Sequence, residues 1–222
     1  MQSDDRPGTV AILGGTGEQG RGLGRRLAMA GVPVVLGSRS AARAEESAEQ
    51  MRTDDPGIDI RGADNETAAA LGATVIVAVP YDGHRELLAS LADTLRGKLV
   101  IDCVNPLGFD KQGAFALPVP EGSAAQEAQA TLPDSRLVAA FHHVSAKLLL
   151  TGDAPVDTDV LVLGDERAAK DEVIELVGLI KGMRGVDAGA LRLAAHVEGM
   201  TAALIAMNRR YKAHAGLRVT DV

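Results

Sequence analysis

Aromatic side chains and cysteine are scarce in this chain of 222 residues, which has no tryptophan, two tyrosines, three phenylalanines and one cysteine. A core with so few rings has to be built from alanine, valine, leucine and isoleucine, which favours alanine-rich helices on a valine-rich sheet over a β-sandwich. The single thiol, Cys103, excludes an internal disulfide and a multi-cysteine metal site. Because Cys103 ends an apolar run, we expect it to pack rather than react.

A basic surface and a long apolar run are missing as well. The net charge of −7 argues against binding to nucleic acid, which needs a basic face. No apolar run approaches the ~20 residues of a membrane span. Residues 1–8 are polar and lack the apolar segment of a secretion signal. We therefore expect a cytoplasmic protein that binds neither nucleic acid nor membrane.

A glycine loop near the start of the chain lies between a predicted strand and a predicted helix. Gly15, Gly17 and Gly20 follow the apolar run 10–13 with the spacing G-x-G-x-x-G, and a helical pattern begins at once. In a dinucleotide site these glycines allow a tight turn, close approach to the pyrophosphate and packing of helix on strand. The free N–H groups at the helix start then face the phosphates. The pattern predicts a dinucleotide at this loop.

Apolar runs and helical patterns alternate through the first 150 residues. We expect an α/β fold, a Rossmann-like, doubly wound and mainly parallel sheet, in which ligands lie at the carboxyl ends of the strands. A helix capped by Asp82 is predicted to run to about residue 95, and a loop to extend to Pro120. The predicted strands are 10–13, 33–36, 58–60, 74–79, 99–102 and 137–140.

The remaining residues predict a smaller C-terminal portion. We expect a dinucleotide-binding domain at 1–150, followed at 151–222 by a strand at 159–163, a helix at 166–181, a short segment at 185–189 and a long helix at 190–211. The apolar stripe of the long helix would cover the sheet or a partner subunit. No metal site is predicted.

Residues after the second predicted strand indicate which dinucleotide is bound. An NAD site commonly has a carboxylate there, which bonds the ribose 2′-hydroxyl. This chain has Ser38 and Arg39, with Arg43 one helical turn later. A hydroxyl and two guanidinium groups can bind a 2′-phosphate through charge-assisted hydrogen bonds. The pattern predicts NADP.

A proton donor of a common kind is not evident. Tyr81 and Tyr211 lack the lysine four residues later that a short-chain dehydrogenase would have. His142 and His143 end the sixth predicted strand and either contact a ligand or are loop histidines satisfied by backbone or water. His84, His196 and His214 lie on helical patterns and are expected at the surface. Hydride transfer between two cofactors needs aligned rings and little acid–base chemistry, so the absence favours such a reaction.

Several short motifs occur in the same order as in the NADPH-dependent reductases of coenzyme F420, an 8-hydroxy-5-deazaflavin, and the chain resembles this family. The resemblance implies hydride transfer between NADP(H) and F420 by a Rossmann-like domain with a small C-terminal portion, usually in a homodimer. The matching segments are residues 14–20, 36–39, 77–80, 105–107, 140–142 with Ala146, and 186–189.

The same resemblance implies roles for individual residues. The pyrophosphate would be held by Thr16, Gly17, Glu18 and Gln19, and the 2′-phosphate by Ser38, Arg39 and Arg43. The ribose and nicotinamide would lie near Val79 and Ala146, and the deazaflavin near His142, Val144, Gly216 and Leu217. Pro80 and Asn105, which follow two of the strands, complete the cofactor-binding set, and no catalytic residue is assigned.

Two questions stay open from the sequence. The cations Arg209, Arg210, Lys212 and Arg218 either bind the anionic tail of the deazaflavin or simply suit a helix C-terminus. As alternative functions, the chain could reduce a small imine or carbonyl compound with a proton from His142, or bind NADPH as a redox sensor without turnover.

Overall fold

A sheet of eight strands organises the structure, a computed structural model that describes residues 8–222. The polar segment at residues 1–7, for which the sequence predicts no element, lies outside the described residues. The strands are β1 (Val10–Leu13), β2 (Val34–Ser38), β3 (Ile60–Asp64), β4 (Thr74–Val77), β5 (Leu99–Asp102), β6 (Leu107–Asp110), β7 (Gly113–Ala116), β8 (Arg136–Ala139), β9 (Thr158–Gly164) and β10 (Met183–Gly189).

Helices follow most of the strands and cover both faces of the sheet. Alanine-rich segments form them, as the composition predicts. The helices are α1 (Glu18–Met29), α2 (Ala41–Asp54), α3 (Asn65–Leu71), α4 (His84–Ser90), α5 (Ala92–Leu95), α6 (Ala124–Thr131), α7 (Ala146–Leu150), α8 (Arg167–Gly178) and α9 (Ala194–Tyr211).

The strand order is β10-β9-β8-β5-β4-β1-β2-β3, which confirms the Rossmann-like, mainly parallel sheet. β1 pairs in parallel with β2 on one side and β4 on the other, so the strand order reverses there. Such a switch point leaves a crevice at the carboxyl ends of the strands. The pair β8 and β9 is antiparallel, and β10 runs parallel to β9 at the edge.

The core is aliphatic on both faces of the sheet. Ile12, Leu36 and Ile76 point to one face with no measurable exposure, and Ala11, Val35 and Val77 point to the other. This alternation follows from the period-2 geometry of strands, and apolar residues on both faces suit a parallel sheet covered by helices. Phe141 is the largest of the fully buried side chains.

Several boundaries differ from the sequence-based prediction. The helix expected from Asp82 to residue 95 begins at His84 after Gly83, whose φ of +85° turns the chain, and is interrupted at Leu91. The loop expected up to Pro120 contains the antiparallel hairpin β6–β7. The third strand is 60–64 rather than 58–60, and its last residue, Asp64, caps α3.

The C-terminal portion also differs in detail. Residues 185–189, predicted as a short connecting segment, belong to the edge strand β10. The sequence Met-Arg-Gly-Val-Asp-Ala-Gly has a single β-branched residue, so its pairing depends on β9 rather than on intrinsic propensity. The long helix starts at Ala194 instead of residue 190, because a turn of 3₁₀ helix occupies Leu191–Leu193.

A close contact joins α1 to α7. The guanidinium of Arg26, 5% exposed, donates hydrogen bonds to the carbonyls of Leu148, Leu149, Thr151 and Ala154 at 2.8–3.1 Å. These carbonyls lie on and after a short helix whose last C=O groups lack helical partners. At Gly22 a Cβ atom would lie 2.5 Å from Leu149 Cβ, so the two helices meet where only glycine fits. The contact fixes α7 relative to α1.

None of the helices within residues 8–222 is both long and apolar enough to cross a membrane.

Candidate functional site

Two adjoining cavities open at the carboxyl ends of the central strands. The smaller, of about 520 Å³, lies over the glycine loop and the end of β2. The larger, of about 790 Å³, lies beside it over the ends of β4, β5 and β8. Ala78 and Val79, which follow β4, line both cavities. The two cavities therefore form one cleft at the switch point of the sheet.

The glycine loop leaves room for a ligand and presents backbone donors to it. Its turn depends on Gly14, whose φ is +76° and where a Cβ atom would lie 2.6 Å from Ala78 O. Gly17 is the N-cap of α1 and carries no side chain to satisfy the first free N–H groups. Those donors and the helix dipole favour an anion such as a pyrophosphate.

The four residues predicted to hold the pyrophosphate lie on both sides of the cleft. Thr16 and Gly17 line the smaller cavity, whereas Glu18 and Gln19 line the larger one. Gln19 Nε2 also donates to Phe141 O at 3.3 Å, which links α1 to the residues after β8. The start of α1 thus separates the two cavities.

Two guanidinium groups in the smaller cavity are available to a ligand. Arg39 and Arg43 line this cavity together with Ser38, and neither guanidinium has a hydrogen-bond partner among residues 8–222. Ser40 caps α2 by accepting a bond from Arg43 N at 3.4 Å, which fixes Arg43 in the first turn. Ser38, 7% exposed, ends β2. These residues fit a ribose 2′-phosphate.

The larger cavity combines the remaining residues predicted from the strand ends. Asn105 Nδ2 donates to His142 O at 2.8 Å and thereby joins the segments after β5 and β8. Pro80 lies in the smaller cavity. The predicted residues that line the larger one are Val79, Asn105, His142, Val144 and Ala146.

One face of α9 forms the opposite wall of the larger cavity. The sequence analysis offered Arg209 and Lys212 from it as partners of an anionic tail but missed the rest of this face. Its residues recur at helical spacing, with polar Thr201 and Asn208 among apolar neighbours, and this mixed stripe was the available signal. Thr201 Oγ1 lies 3.2 Å from His142 O, so the wall is tied to the strand ends. The lining residues of this face are Thr201, Leu204, Ile205, Asn208, Arg209 and Lys212.

The predicted residues Gly216 and Leu217 do not line either cavity. Leu217 O accepts from Asp159 N at 2.8 Å, so this segment packs against the start of β9. The four C-terminal cations separate. Arg209 and Lys212 line the larger cavity, Arg210 is exposed outside both cavities, and Arg218 pairs with the fully buried Asp159 at 2.6 Å. The tail thus supports the wall formed just before it.

His142 and His143 are both buried, with 4% of each exposed. Burial lowers the pKa of each to about 4, so both rings are neutral at pH 7. Neither nitrogen of His142 has a partner among residues 8–222, whereas His143 Nε2 accepts from Leu161 N at 3.4 Å. His142 therefore lies in the cleft without a hydrogen-bond partner from the described chain.

Comparisons with known proteins agree with this geometry. The family described as "NADP oxidoreductase coenzyme F420-dependent" matches residues 9–106. The chain is 38% identical to the F420-dependent NADP reductase of Methanocaldococcus jannaschii over 96% of this chain and 98% of that protein. The chain belongs to the F420-dependent NADP reductase family.

A second relative and one solved structure are also similar to this chain. The F420-dependent NADP reductase of Methanothermobacter marburgensis is 37% identical over 96% of this chain and 98% of its own length. A crystal structure assigned as an F420-dependent NADP-reductase, from Arthrobacter sp. FB24, has a TM-score of 0.81 at 26% identity over 95% of this chain and 98% of that chain. The family resemblance predicted from the motifs is confirmed.

The sequence-based expectation that His84 lies at the surface is wrong, because this residue belongs to a buried ionic cluster. His84, expected at the surface, is fully buried because it begins α4 directly beneath the cleft. Its Nε2 lies 2.7 Å from Asp102 Oδ2 and its Nδ1 3.2 Å from Glu127 Oε1. Burial lowers the pKa of His84, but the two carboxylates outweigh it and raise the pKa to about 9. We call these three residues the His84 cluster.

Cys103 behaves as expected for a packing residue. It is buried, and its Sγ lies 3.0 Å from Val77 O. Burial raises the pKa of the thiol, so it stays protonated and unreactive at neutral pH.

Neutral, buried His142 and His143 predict a loss of stability in mild acid. Unfolded histidine binds a proton near pH 6.5, whereas the folded rings do so only near pH 4, so folding stability falls as pH drops through this range. By pH 5 each of the two rings contributes a loss of about 2 kcal/mol, which the raised pKa values of His84 and Glu198 partly offset, because folding favours protonation of those two groups. Urea denaturation at pH 7 and pH 5, of the wild type and of a variant that lacks one ring, isolates the contribution of that ring.

His143→Gln removes one of the two titrating rings and should reduce the loss measured between pH 7 and pH 5. His196→Gln, on an exposed histidine of α9, is the control and should retain all of it. An equal loss in both variants would contradict the assignment of neutral buried rings.

Proposed function

We propose that this chain transfers hydride reversibly between NADP(H) and the deazaflavin coenzyme F420. The observation that carries the proposal is the pair of adjoining cavities, one beside free guanidinium groups and a helix N-terminus, the other beside strand ends and α9. NADP(H) would lie in the smaller cavity and reach the larger one at Glu18 and Gln19, and the deazaflavin would take the rest of the larger cavity. The two reacting rings would meet at the shared residues, Ala78 and Val79. Membership in the family supports the same reaction.

The residues of the chain would bind and orient the cofactors. Thr16, Gly17, Glu18 and Gln19, at the start of α1 with its free N–H groups, would hold the pyrophosphate. Ser38, Arg39 and Arg43 would hold the 2′-phosphate. Hydride transfer requires the reacting atoms of the two rings to lie ~3–3.5 Å apart in a site from which water is excluded. When bound, the two coenzymes supply the hydride donor and acceptor themselves.

The second wall would receive the deazaflavin. Val144 and the neutral His142 would border the ring, and Asn105 offers an amide. Arg209 and Lys212 offer charge to an anionic tail, whereas Ala146 would lie with Val79 beside the nicotinamide. We propose that residues 151–222 act as the C-terminal portion that supplies this wall through α9, while residues 1–150 bind NADP(H). Gly216 and Leu217 would contribute indirectly, because they hold the C-terminal residues of the chain against β9 outside the cavity.

Reduction of an imine or carbonyl compound is less well supported. That reaction would need His142 to donate a proton, yet burial holds its pKa at about 4 and the ring is unprotonated at neutral pH. Cys103 is protonated but buried, with a raised pKa. Hydride transfer between two cofactors needs neither group as an acid.

Mixing the protein with NADPH and oxidised F420 tests the proposal. The absorbance of both cofactors should fall together, and the reverse change should follow when NADP⁺ is added to reduced F420. NADPH oxidation by a small imine without F420 would point to the alternative reaction. If no transfer occurs even at high protein concentration, the proposed function is wrong.

Arg39→Ala tests the choice of NADP over NAD. Loss of a charge-assisted hydrogen bond to the 2′-phosphate should weaken NADPH binding by about 1.5–3 kcal/mol, roughly ten- to a hundredfold. NADH affinity should hardly change, since NADH lacks that phosphate. Titration of each cofactor, followed by its fluorescence, gives both constants.

Arg167→Ala is the matched control, because Arg167 lies on α8 with its side chain 90% exposed. It should leave both affinities unchanged. Equal weakening of NADH and NADPH by Arg39→Ala would refute the 2′-phosphate role.

A homodimer is proposed from the outer face of α9. Met207 and Tyr211 are 41% and 74% exposed there. Neighbouring exposed apolar side chains of this size are typical of a surface that binds another protein chain. Sedimentation should give twice the mass of one chain for the wild type. Met207→Lys should lower this mass towards that of a single chain, because it places a charge in the proposed contact. Leu71→Lys, on α3 at a side chain 45% exposed, is the control. A wild-type monomer at micromolar concentration would exclude the dimer.

A further inference from the structure

The His84 cluster lies behind the cleft, and its three residues line neither cavity. Residues next to His84 and Asp102 in the chain do line the cavities. His84 directly follows Pro80–Gly83, and Pro80, Asp82 and Gly83 line the smaller cavity. Asp102 ends β5 and directly precedes Cys103–Asn105, which line the larger cavity. The ion pair of 2.7 Å between His84 and Asp102 therefore ties together the two segments that flank the centre of the cleft.

The carboxylate of Asp102 also holds the backbone of one of these segments. Its Oδ1 accepts a hydrogen bond from Val104 N at 3.0 Å, while its Oδ2 receives the bond from His84. The next residue, Asn105, donates to His142 O at 2.8 Å. Hydrogen bonds thus run from His84 through Asp102 to Val104 N, and the chain continues directly to Asn105, whose amide bonds His142 O in the cavity wall.

Further charged groups surround the cluster. From α4 and the turn before it, Arg85 and the Tyr81 hydroxyl donate to Glu127 Oε2 at 3.0 and 3.3 Å, and Arg85 also pairs with Glu121. From α9, Glu198 accepts bonds from Ala124 N and Ala125 N at the start of α6. Burial, helped by the nearby Asp102, raises the pKa of Glu198 to about 7, although the two backbone hydrogen bonds lower it.

Stability alone does not account for such an arrangement. Charged groups lose their hydration on burial, and apolar side chains of similar volume often stabilise a core as well or better. Removing one partner, in contrast, leaves an uncompensated charge and disturbs the groups bonded to it. What the cluster provides is a defined geometry of the two segments.

We propose that the His84 cluster positions Val104 and Asn105, and with them the wall of the larger cavity, for hydride transfer. This role rests on the proposed function. His84 and Asp102 touch no ring; they act through the Val104–Asn105 backbone and the loop before α4. Because both ring nitrogens of His84 face carboxylates, both bonds require the imidazolium. Loss of its proton leaves one ring nitrogen without a hydrogen to donate, so one of the two bonds is lost and the segment is held less firmly.

The wild-type protein provides the first test. The rate of hydride transfer from NADPH to oxidised F420 in a single turnover should fall as the pH rises through about 9, the pKa of His84. The dissociation constant of NADPH should not change over that range. A rate that stays constant to pH 10 would contradict the proposal.

His84→Gln and Asp102→Asn provide the second test, since each removes the charge and keeps a polar group of similar size. We expect transfer to slow by about ten- to a hundredfold, the effect of a small misplacement of reacting groups. NADPH affinity should stay close to that of the wild type, and the fall in rate near pH 9 should disappear. Deuterium at the transferred position of NADPH should give a larger isotope effect.

His196→Gln, on the exposed side of α9, is the control for the same exchange of side chains and should transfer hydride at the wild-type rate. Wild-type rates in both cluster variants would overturn the positioning role. Equal losses of rate and of NADPH affinity would also overturn it, because they indicate general damage to the site.

A readout without F420 separates this proposal from the proposed function. The fluorescence of bound NADPH reports the surroundings of its nicotinamide ring, and it should change in His84→Gln at saturating NADPH. If the wild type transfers no hydride to F420, the proposed function fails, and the fluorescence still decides on the positioning role. Emission identical to that of the wild type would exclude it.

Discussion

Arg26 binds four carbonyl groups on and after α7, so the helix beneath the dinucleotide is held directly against a helix that lines the larger cavity. Hydride passes only between atoms ~3–3.5 Å apart, and errors of 1 Å are costly. Ala146 and Lys147 of α7 line the larger cavity, while Gly17 at the start of α1 lines the smaller. A flexible connection between these helices would leave the separation of the rings undefined. The buried guanidinium removes that freedom.

The distribution of cations explains how an acidic chain can bind anionic cofactors. Acidic residues outnumber basic ones, 30 to 23, and many arginines are occupied by carboxylates. Arg52 and Arg136 each pair with two glutamates, and Arg184 pairs with Asp159. Arg39 and Arg43 have no such partner among the residues described. Their freedom, more than the presence of positive charge, distinguishes them as candidates for a phosphate.

The parts of the site that the sequence predicts are those encoded by short-range patterns. The glycine loop was predicted from Gly15, Gly17 and Gly20, which lie within six positions, and the proposed 2′-phosphate site from Ser38, Arg39 and Arg43, which do so as well. These features depend on one turn and one helix start. The alternating apolar runs likewise predicted the sheet, because both faces of its central strands are buried.

The parts that the sequence does not predict depend on distant partners. His84 has a helical pattern around it, which indicates an exposed side chain, and only its contacts with Asp102 and Glu127 make burial possible. Neither carboxylate lies within a helical turn of it. β10 pairs only because β9 offers an edge, and the polar face of α9 becomes a cavity wall only once the helix packs beside the strand ends.

The separation of neutral and charged groups fits a reaction that runs in both directions. Oxidised nicotinamide carries a positive charge that the reduced ring lacks, so a fixed charge against the ring would favour one form. The side chains at the strand ends, Val79, Cys103 and His142, are uncharged at neutral pH. The charges of His84 and Asp102 lie behind them and compensate each other. The cleft thereby obtains fixed geometry from an ion pair without exposing the transferring rings to its field.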